Sequence, residues 1–129
     1  KDFIMQLELK IKNKNVLKDR SFVFSIHIVE QYKRLTGSKE FVMSKQLLRS
    51  GTAIGALIRE AEFAQSKADF ISKLSIALKE ANETCYWLEL LHRTHYIDAE
   101  YFEDSSRRTH ELISMLVASI KTSKLKLNK

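Results

Sequence analysis

Apolar residues recur at spacings of three and four along most of this chain. In residues 21–35 they fall at Phe22, Ile26, Val29 and Tyr32, with Ser21 as a predicted N-cap and Thr36-Gly37-Ser38 as the predicted stop. A second helix is predicted from about Phe41 to Ala64, with Leu47, Gly51, Ile54, Ile58 and Ala61 along one seam. The third opens at Ser66, where Asp69 completes a pattern like a capping box, and runs to about His92. Its seam is Phe70, Leu74, Ala77, Ala81, Thr84, Leu88 and Leu91, widened by Ile71, Leu78 and Cys85. Asp98 caps a fourth helix carrying Phe102, Thr109, Leu112, Leu116 and Ile120, with Ile113 and Val117 beside them. The N-terminal FIMQLELKIK behaves differently: from Met5 to Lys12 it alternates apolar and polar, the period of a strand. A lone strand is not stable in water, so this segment pairs outside the bundle or frays.

Four amphipathic segments with short connections and no strand–helix alternation predict an all-α protein, an antiparallel up-down-up-down four-helix bundle. The expected organisation is a basic N-terminal arm at 1–20, the bundle at 21–121 and a basic C-terminal tail at 122–129. At 129 residues the chain is one domain's length, and it contains no proline. Its three glycines stand at positions 37, 51 and 55. A single Cys85 excludes an intrachain disulfide, and no signal-peptide pattern or membrane-length apolar run is visible, so a reducing, cytoplasmic setting without membrane attachment is expected.

Two of the glycines lie one turn apart in the second helix, where together they give up roughly 2 kcal/mol of helix stability relative to alanine. Close packing must offset that loss. A tight crossing within one bundle would do so, but no charged residue falls anywhere between Gly51 and Ile58, and a helix apolar on all sides is covered on all sides. Ala53, Ala56 and Phe63 point away from the seam, as do Ile76, Tyr86, Trp87 and Leu90 on the third helix. Together with Gly51 and Gly55 they form an expected interface between copies of the chain.

The run SKQLLRSGTAIGALIREAEFAQSKADFISKLSIALKEANETCYWLELLHRTHYI, residues 44–97, preceded by NVLKDRSFVFSIHIV, resembles the bacterial 23S rRNA intervening-sequence, or four-helix-bundle, protein family. The similarity spans most of residues 15–97 in order and spacing. It implies an up-and-down bundle assembled into a homopentameric ring. It also implies kinship with accessory proteins of diversity-generating retroelements, which bind nucleic acid and a reverse transcriptase. Ala53 and Leu57 depart from the family pattern, which has Ser and Asn there, and FIMQLELKIK lies outside the resemblance.

Charge sharpens the functional expectation. The net charge is +6, yet residues 21–106 hold ten Lys/Arg against twelve acids, so the basicity belongs to the two ends. In an up-down-up-down bundle those ends meet at one pole. Lys10, Lys12, Lys14, Lys18, Arg20, Lys67, Lys121, Lys124, Lys126 and Lys129 are therefore the expected contacts to nucleic acid, RNA more than DNA, made to phosphates rather than bases. A ring-shaped protein adaptor is the alternative. Signs of catalysis are weak. Glu89 and His92 have the spacing of a di-iron ligand pair, but only one copy exists and Glu89 points outward in this register. His92 and His95 lack the partners of a zinc site, and Cys85 reads as a core thiol. No metal, no other cofactor and no enzymatic activity are expected.

Overall fold

Asn15, not Ser21, opens the first helix: its side chain accepts the Lys18 N–H at 3.1 Å. The computed structural model describes residues 15–128 and contains four helices, α1 Val16–Gly37, α2 Met43–Glu62, α3 Lys67–Arg93 and α4 Ala99–Leu127, with no strand among the described residues. The alternating segment 3–12 lies outside them, as do Lys10, Lys12, Lys14 and Lys129.

Helices α3 and α4 follow the sequence reading. Ser66 accepts the Asp69 N–H at 3.0 Å, and Asp69 in return accepts from the Gln65 N–H at 3.2 Å, one residue short of the usual capping-box target. Asp98 accepts from Tyr101 N–H at 2.8 Å. The α3 seam is buried from Leu74 to Leu91, with Phe70 half-buried at its start, and Leu112 and Leu116 face it from α4. Each such fully buried aliphatic side chain contributes about 1.5–3 kcal/mol relative to exposure. The predicted end near residue 121 is corrected: α4 continues to Leu127, because nothing in KTSKLKL breaks a helix and Ser123, in line with Leu116 and Ile120, is still buried.

For α1 the predicted face was wrong. Phe22 and Val29 are exposed, and the helix buries Val23, Phe24, His27, Ile28, Gln31 and Leu35 instead. A search for apolar periodicity skips Ser21, His27 and Gln31, which occupy the buried stripe as polar residues. Gly37 stays helical, and the stop comes at Ser38 and Lys39, whose φ of 68° takes the left-handed position past the helix end. Helix α2 likewise begins at Met43 rather than Phe41, because Glu40 caps it. The Glu40 carboxylate accepts from the N–H groups of Val42, Met43 and Ser44 at 3.3, 3.1 and 2.6 Å. Burial pushes that carboxyl up, but these bonds outweigh it and hold Glu40 below the usual carboxylate range.

Each helix packs on the next in sequence, and α1 also meets α4, more sparsely than the other pairs. Between α1 and α2, Lys18 meets Glu62 at 3.0 Å and the Arg59 guanidinium lies 4.9 Å from the Phe22 ring centre. Between α2 and α3, Lys73 meets Glu60 at 3.6 Å, and the buried Thr84 hydroxyl donates to Ser50 at 3.1 Å. Between α1 and α4, Arg20 meets Glu111 at 3.5 Å and His27 meets Ser105 at 2.8 Å. In these three pairs the partner's number falls as the first one rises.

The glycine pair faces α1. A Cβ on Gly51 would stand 2.8 Å from Ile28 Cγ1, and one on Gly55 would stand 3.2 Å from the Ser21 carbonyl oxygen. Both are buried within the single chain. The expectation that they contact another copy is therefore corrected: the tight crossing inside the bundle accounts for them. Gly51→Ala should destabilise the protein by roughly 1–3 kcal/mol in urea denaturation despite the better helix propensity of alanine, because Ile28 is fully buried and β-branched. In an Ile28→Ala background, which lacks the Cγ1 and Cγ2 atoms that the new Cβ would meet, the Gly51→Ala penalty should shrink or disappear.

Candidate nucleic-acid interface and outer face

Some of the described lysines and arginines along the helical body meet carboxylates: Lys18 meets Glu62, Arg20 meets Glu111, Lys73 meets Glu60 and Arg93 meets Glu89 at 3.0 Å. Lys33, Arg34, Lys39, Lys45 and Lys79 have no ion-pair partner among the described residues. Lys121, Lys124 and Lys126, on the last exposed turns of α4, have no ion-pair partner among the described residues. Residues 112–128 contain no acid, so no carboxylate stands beside them on their own stretch of helix. Lys67 opens α3 with its Nζ 5.8 Å from the Phe70 ring centre. Of the expected contacts, the end of α4 thus supplies unpaired charge, while Lys18 is engaged by Glu62 and Arg20 has only the longer 3.5 Å contact to Glu111.

The expected outer face divides as well. Phe63 is 85 % exposed, Tyr86 58 % and Ile76 40 %, and Ala56 on α2 is exposed as well. Ala53, Leu90 and Trp87 are half-buried, with Trp87 packed against the core and donating to Glu83 at 2.9 Å. Arg49 bridges Glu80, at 3.2 Å, and Glu83. Arg49 and then Trp87, hydrogen-bonded to Glu83, lower that carboxyl's pKa. A polar cluster the sequence reading did not identify therefore lies across the α2–α3 junction.

The other unpredicted group is His27, 9 % exposed, between α1 and α4. Its Nε2 pairs with Ser105 Oγ at 2.8 Å, its ring stacks on Tyr101 at 4.7 Å between centres, and Asp104 stands 3.9 Å away. Burial, followed by the nearby Arg108 charge, lowers its pKa to about 4. Burial likewise raises that of the Tyr101 hydroxyl. The i+4 spacing of Ser105 and Thr109, read with His27, was the available signal, but only the fold brings α1 to it.

The residues weighed for metal chemistry are occupied otherwise. Glu89 pairs with Arg93, His92 stacks on Phe102 at 4.4 Å with Nδ1 3.1 Å from the Ile97 carbonyl, and His95 adopts φ 70° in the turn after α3. Among the described residues no three His, Cys, Asp or Glu converge as metal ligands. Cys85 is half-buried, and burial raises its pKa, which disfavours the thiolate. Among the described residues no helix is long and apolar enough to cross a membrane.

His27 ionises near its ordinary value, about 6.5, once unfolded, and near 4 when folded. Between those values the unfolded state binds the additional proton, so stability rises with pH through this window and falls as pH drops from 6.5 toward 4. The wild type should lose roughly 2–4 kcal/mol more than His27→Gln over that interval, a comparison made by urea denaturation at several pH values.

No curated protein matches the chain. A crystal structure of a protein with unknown function from the S23 ribosomal protein family, from Bacteroides thetaiotaomicron VPI-5482, is similar: 61 % identity over 82 % of this chain and 99 % of that one, with a TM-score of 0.81. The family model of the 23S rRNA-intervening sequence protein matches residues 13–118, from just before α1 to within three turns of the end of α4. With that span matched, the chain belongs to the 23S rRNA-intervening sequence protein family.

Proposed function

We propose that this chain is a non-enzymatic, oligomeric up-down-up-down bundle that binds nucleic acid, structured RNA in preference to DNA, through phosphate contacts at the end of α4. The observation that carries the reading is the clustering of Lys121, Lys124 and Lys126 on exposed turns of one helix, without an ion-pair partner among the described residues and with no acid between residues 112 and 128. The reversed numbering of contacts between successive helices supports a pole shared by the end of α4, the start of α3 with Lys67 and the start of α1. These α4 lysines fall beyond residue 118, outside the span matched by the family model. A homopentameric ring would multiply their charge fivefold. The setting that goes with this reading is the cytoplasm, and the protein partner is a nucleic-acid enzyme such as a reverse transcriptase. The oligomer contact that fits best is the exposed part of the α2–α3 face, Ala56, Phe63, Ile76 and Tyr86.

Point substitutions test the charge better than truncation, since α4 is helical through Leu127. Replacing Lys121, Lys124 and Lys126 with glutamine should weaken RNA binding across sequences. The slope of log K against log salt should flatten by up to roughly 2 per chain, taking about 0.7 per lost single-strand phosphate contact. Unchanged affinity and slope would move the site elsewhere, and absence of any salt-dependent RNA binding by the intact protein would favour a protein adaptor.

Light scattering on the purified chain should give a multiple of the single-chain mass, with Ala56→Glu or Phe63→Asp lowering it. Both side chains are exposed, so the helical circular dichroism signal should persist. A wild-type monomer at micromolar concentration contradicts the ring.

A further inference from the structure

Where α1 and α4 pack most sparsely, a cleft of about 290 Å³ opens between them. Its floor is apolar, formed by Val23, Phe24 and Leu112. Its rim is cationic, with Arg20 from α1 and Arg107 and Arg108 from α4, and Glu111 is the acid that lines it. The Glu111 carboxylate lies between two guanidiniums without a close bond to either: Arg20 Nη1 is 3.5 Å from Oε1, and Arg107 Nη1 is 4.0 Å from Oε2. Charge-assisted bonds to carboxylate close to about 2.7–2.9 Å when the geometry allows. The deeper Arg108 pairs with Asp104 at 3.1 Å, and Arg107 also reaches Asp104. The Glu111 carboxylate, with two long contacts, thus holds its place in the cleft loosely.

We propose that this cleft binds a phosphate monoester: its dianion displaces Glu111 and is gripped by Arg20 and Arg107, and its organic part rests on the apolar floor. A phosphate dianion carries more charge than the carboxylate it replaces and offers three oxygens to two planar forks of donors. Glu111 is nearly half-exposed and is free to turn into water. The volume lies at the lower end of the range for ligand pockets, roughly 300–1,000 Å³, which limits the organic part to about one ring system. A nucleotide, free or at the 5′ end of a strand, has this chemistry. The site uses residues other than the α4 lysines, so it stands or falls separately from the binding proposed for them.

Titration calorimetry with adenosine 5′-monophosphate, inorganic phosphate and adenosine tests the idea on the full chain. The monophosphate should bind more tightly than inorganic phosphate, and adenosine should not bind measurably. Arg20→Gln and Arg107→Gln should each weaken the monophosphate about tenfold or more, the loss of one hydrogen bond to a charged group. Glu111→Gln should tighten it several-fold, a gain that damage to the fold cannot produce. The glutamine substitutions at Lys121, Lys124 and Lys126 should leave it unchanged. A 5′-phosphorylated oligonucleotide that outcompetes both the mononucleotide and its 5′-hydroxyl counterpart identifies a strand end as the ligand, and parity with the mononucleotide identifies a free nucleotide. No binding of the monophosphate at millimolar concentration, binding indifferent to Arg20→Gln, or no gain from Glu111→Gln overturns the proposal.

Discussion

The position of α1 depends on two missing side chains. Ile28 occupies the space a Cβ on Gly51 would need, and the Ser21 carbonyl and Ser25 hydroxyl lie against Gly55 one turn further on. These contacts lock α1 against α2 in both height and rotation, since a shift of one residue would turn Ile28 by about 100° away from the notch. The remaining placements of α1 follow from that lock. Lys18 comes level with Glu62, Phe22 lies under Arg59, and on the opposite flank His27 reaches Ser105 and Arg20 approaches Glu111. The helix cost of the glycines is thus offset by fixing the register of the helix that has the thinnest contact with α4.

The sparse α1–α4 junction gathers much of the buried polarity. On its α2 flank α1 presents Ile28 to a glycine notch, where dispersion contacts suffice, but toward α4 it presents His27, next to Ser105 and Asp104. A neutral imidazole satisfied by a hydroxyl is tolerable there, whereas a buried imidazolium would need a closer carboxylate than Asp104 at 3.9 Å, itself shared with Arg107 and Arg108. Glu111 likewise stands at long range from both of its neighbours, 3.5 Å from Arg20 and 4.0 Å from Arg107. Electrostatic satisfaction is therefore least complete where packing is also thinnest.

The sequence made α2, α3 and α4 legible because each has a regular apolar seam, and α3 and α4 also have side-chain caps of ordinary type, Ser66 and Asp98. It misled on α1 because three members of the buried stripe are polar: Ser21, which bonds back to the Lys18 carbonyl in its own helix, His27, whose partner Ser105 is supplied by α4, and Gln31. The start of α2 was obscured for a similar reason: Glu40 precedes the helix by three residues and reaches forward to three backbone N–H groups, a cap that residue-type preferences do not anticipate. Spacing alone revealed that Gly51 and Gly55 mark a close approach, but not to which surface, because one apolar flank looks like another in one dimension. Of the candidate site, the concentration of lysines near the C-terminus was readable. That Lys18 and Arg20 would be drawn into ion pairs was not, since their partners are 44 and 91 residues away.

The two interhelix turns at 38–42 and 94–98 show how this chain manages without glycine where glycine is usual. Lys39 and His95 adopt φ of 68° and 70°, a region that costs a non-glycine residue roughly 1 kcal/mol. Local bonds hold each in place. The Glu40 N–H donates to the Leu35 carbonyl at 2.8 Å and the Tyr96 N–H to the Leu91 carbonyl at 2.9 Å, so both turns close over the last helical turn in the same way. Each closing bond delivers a working residue. The first sets Glu40 where it caps α2, and the second brings the Ile97 carbonyl within 3.1 Å of His92 Nδ1 and buries the Ile97 side chain. The strain is thus spent on geometry that starts the next helix, with Phe41, Val42 and Tyr96 left exposed because the tight turns turn those side chains outward.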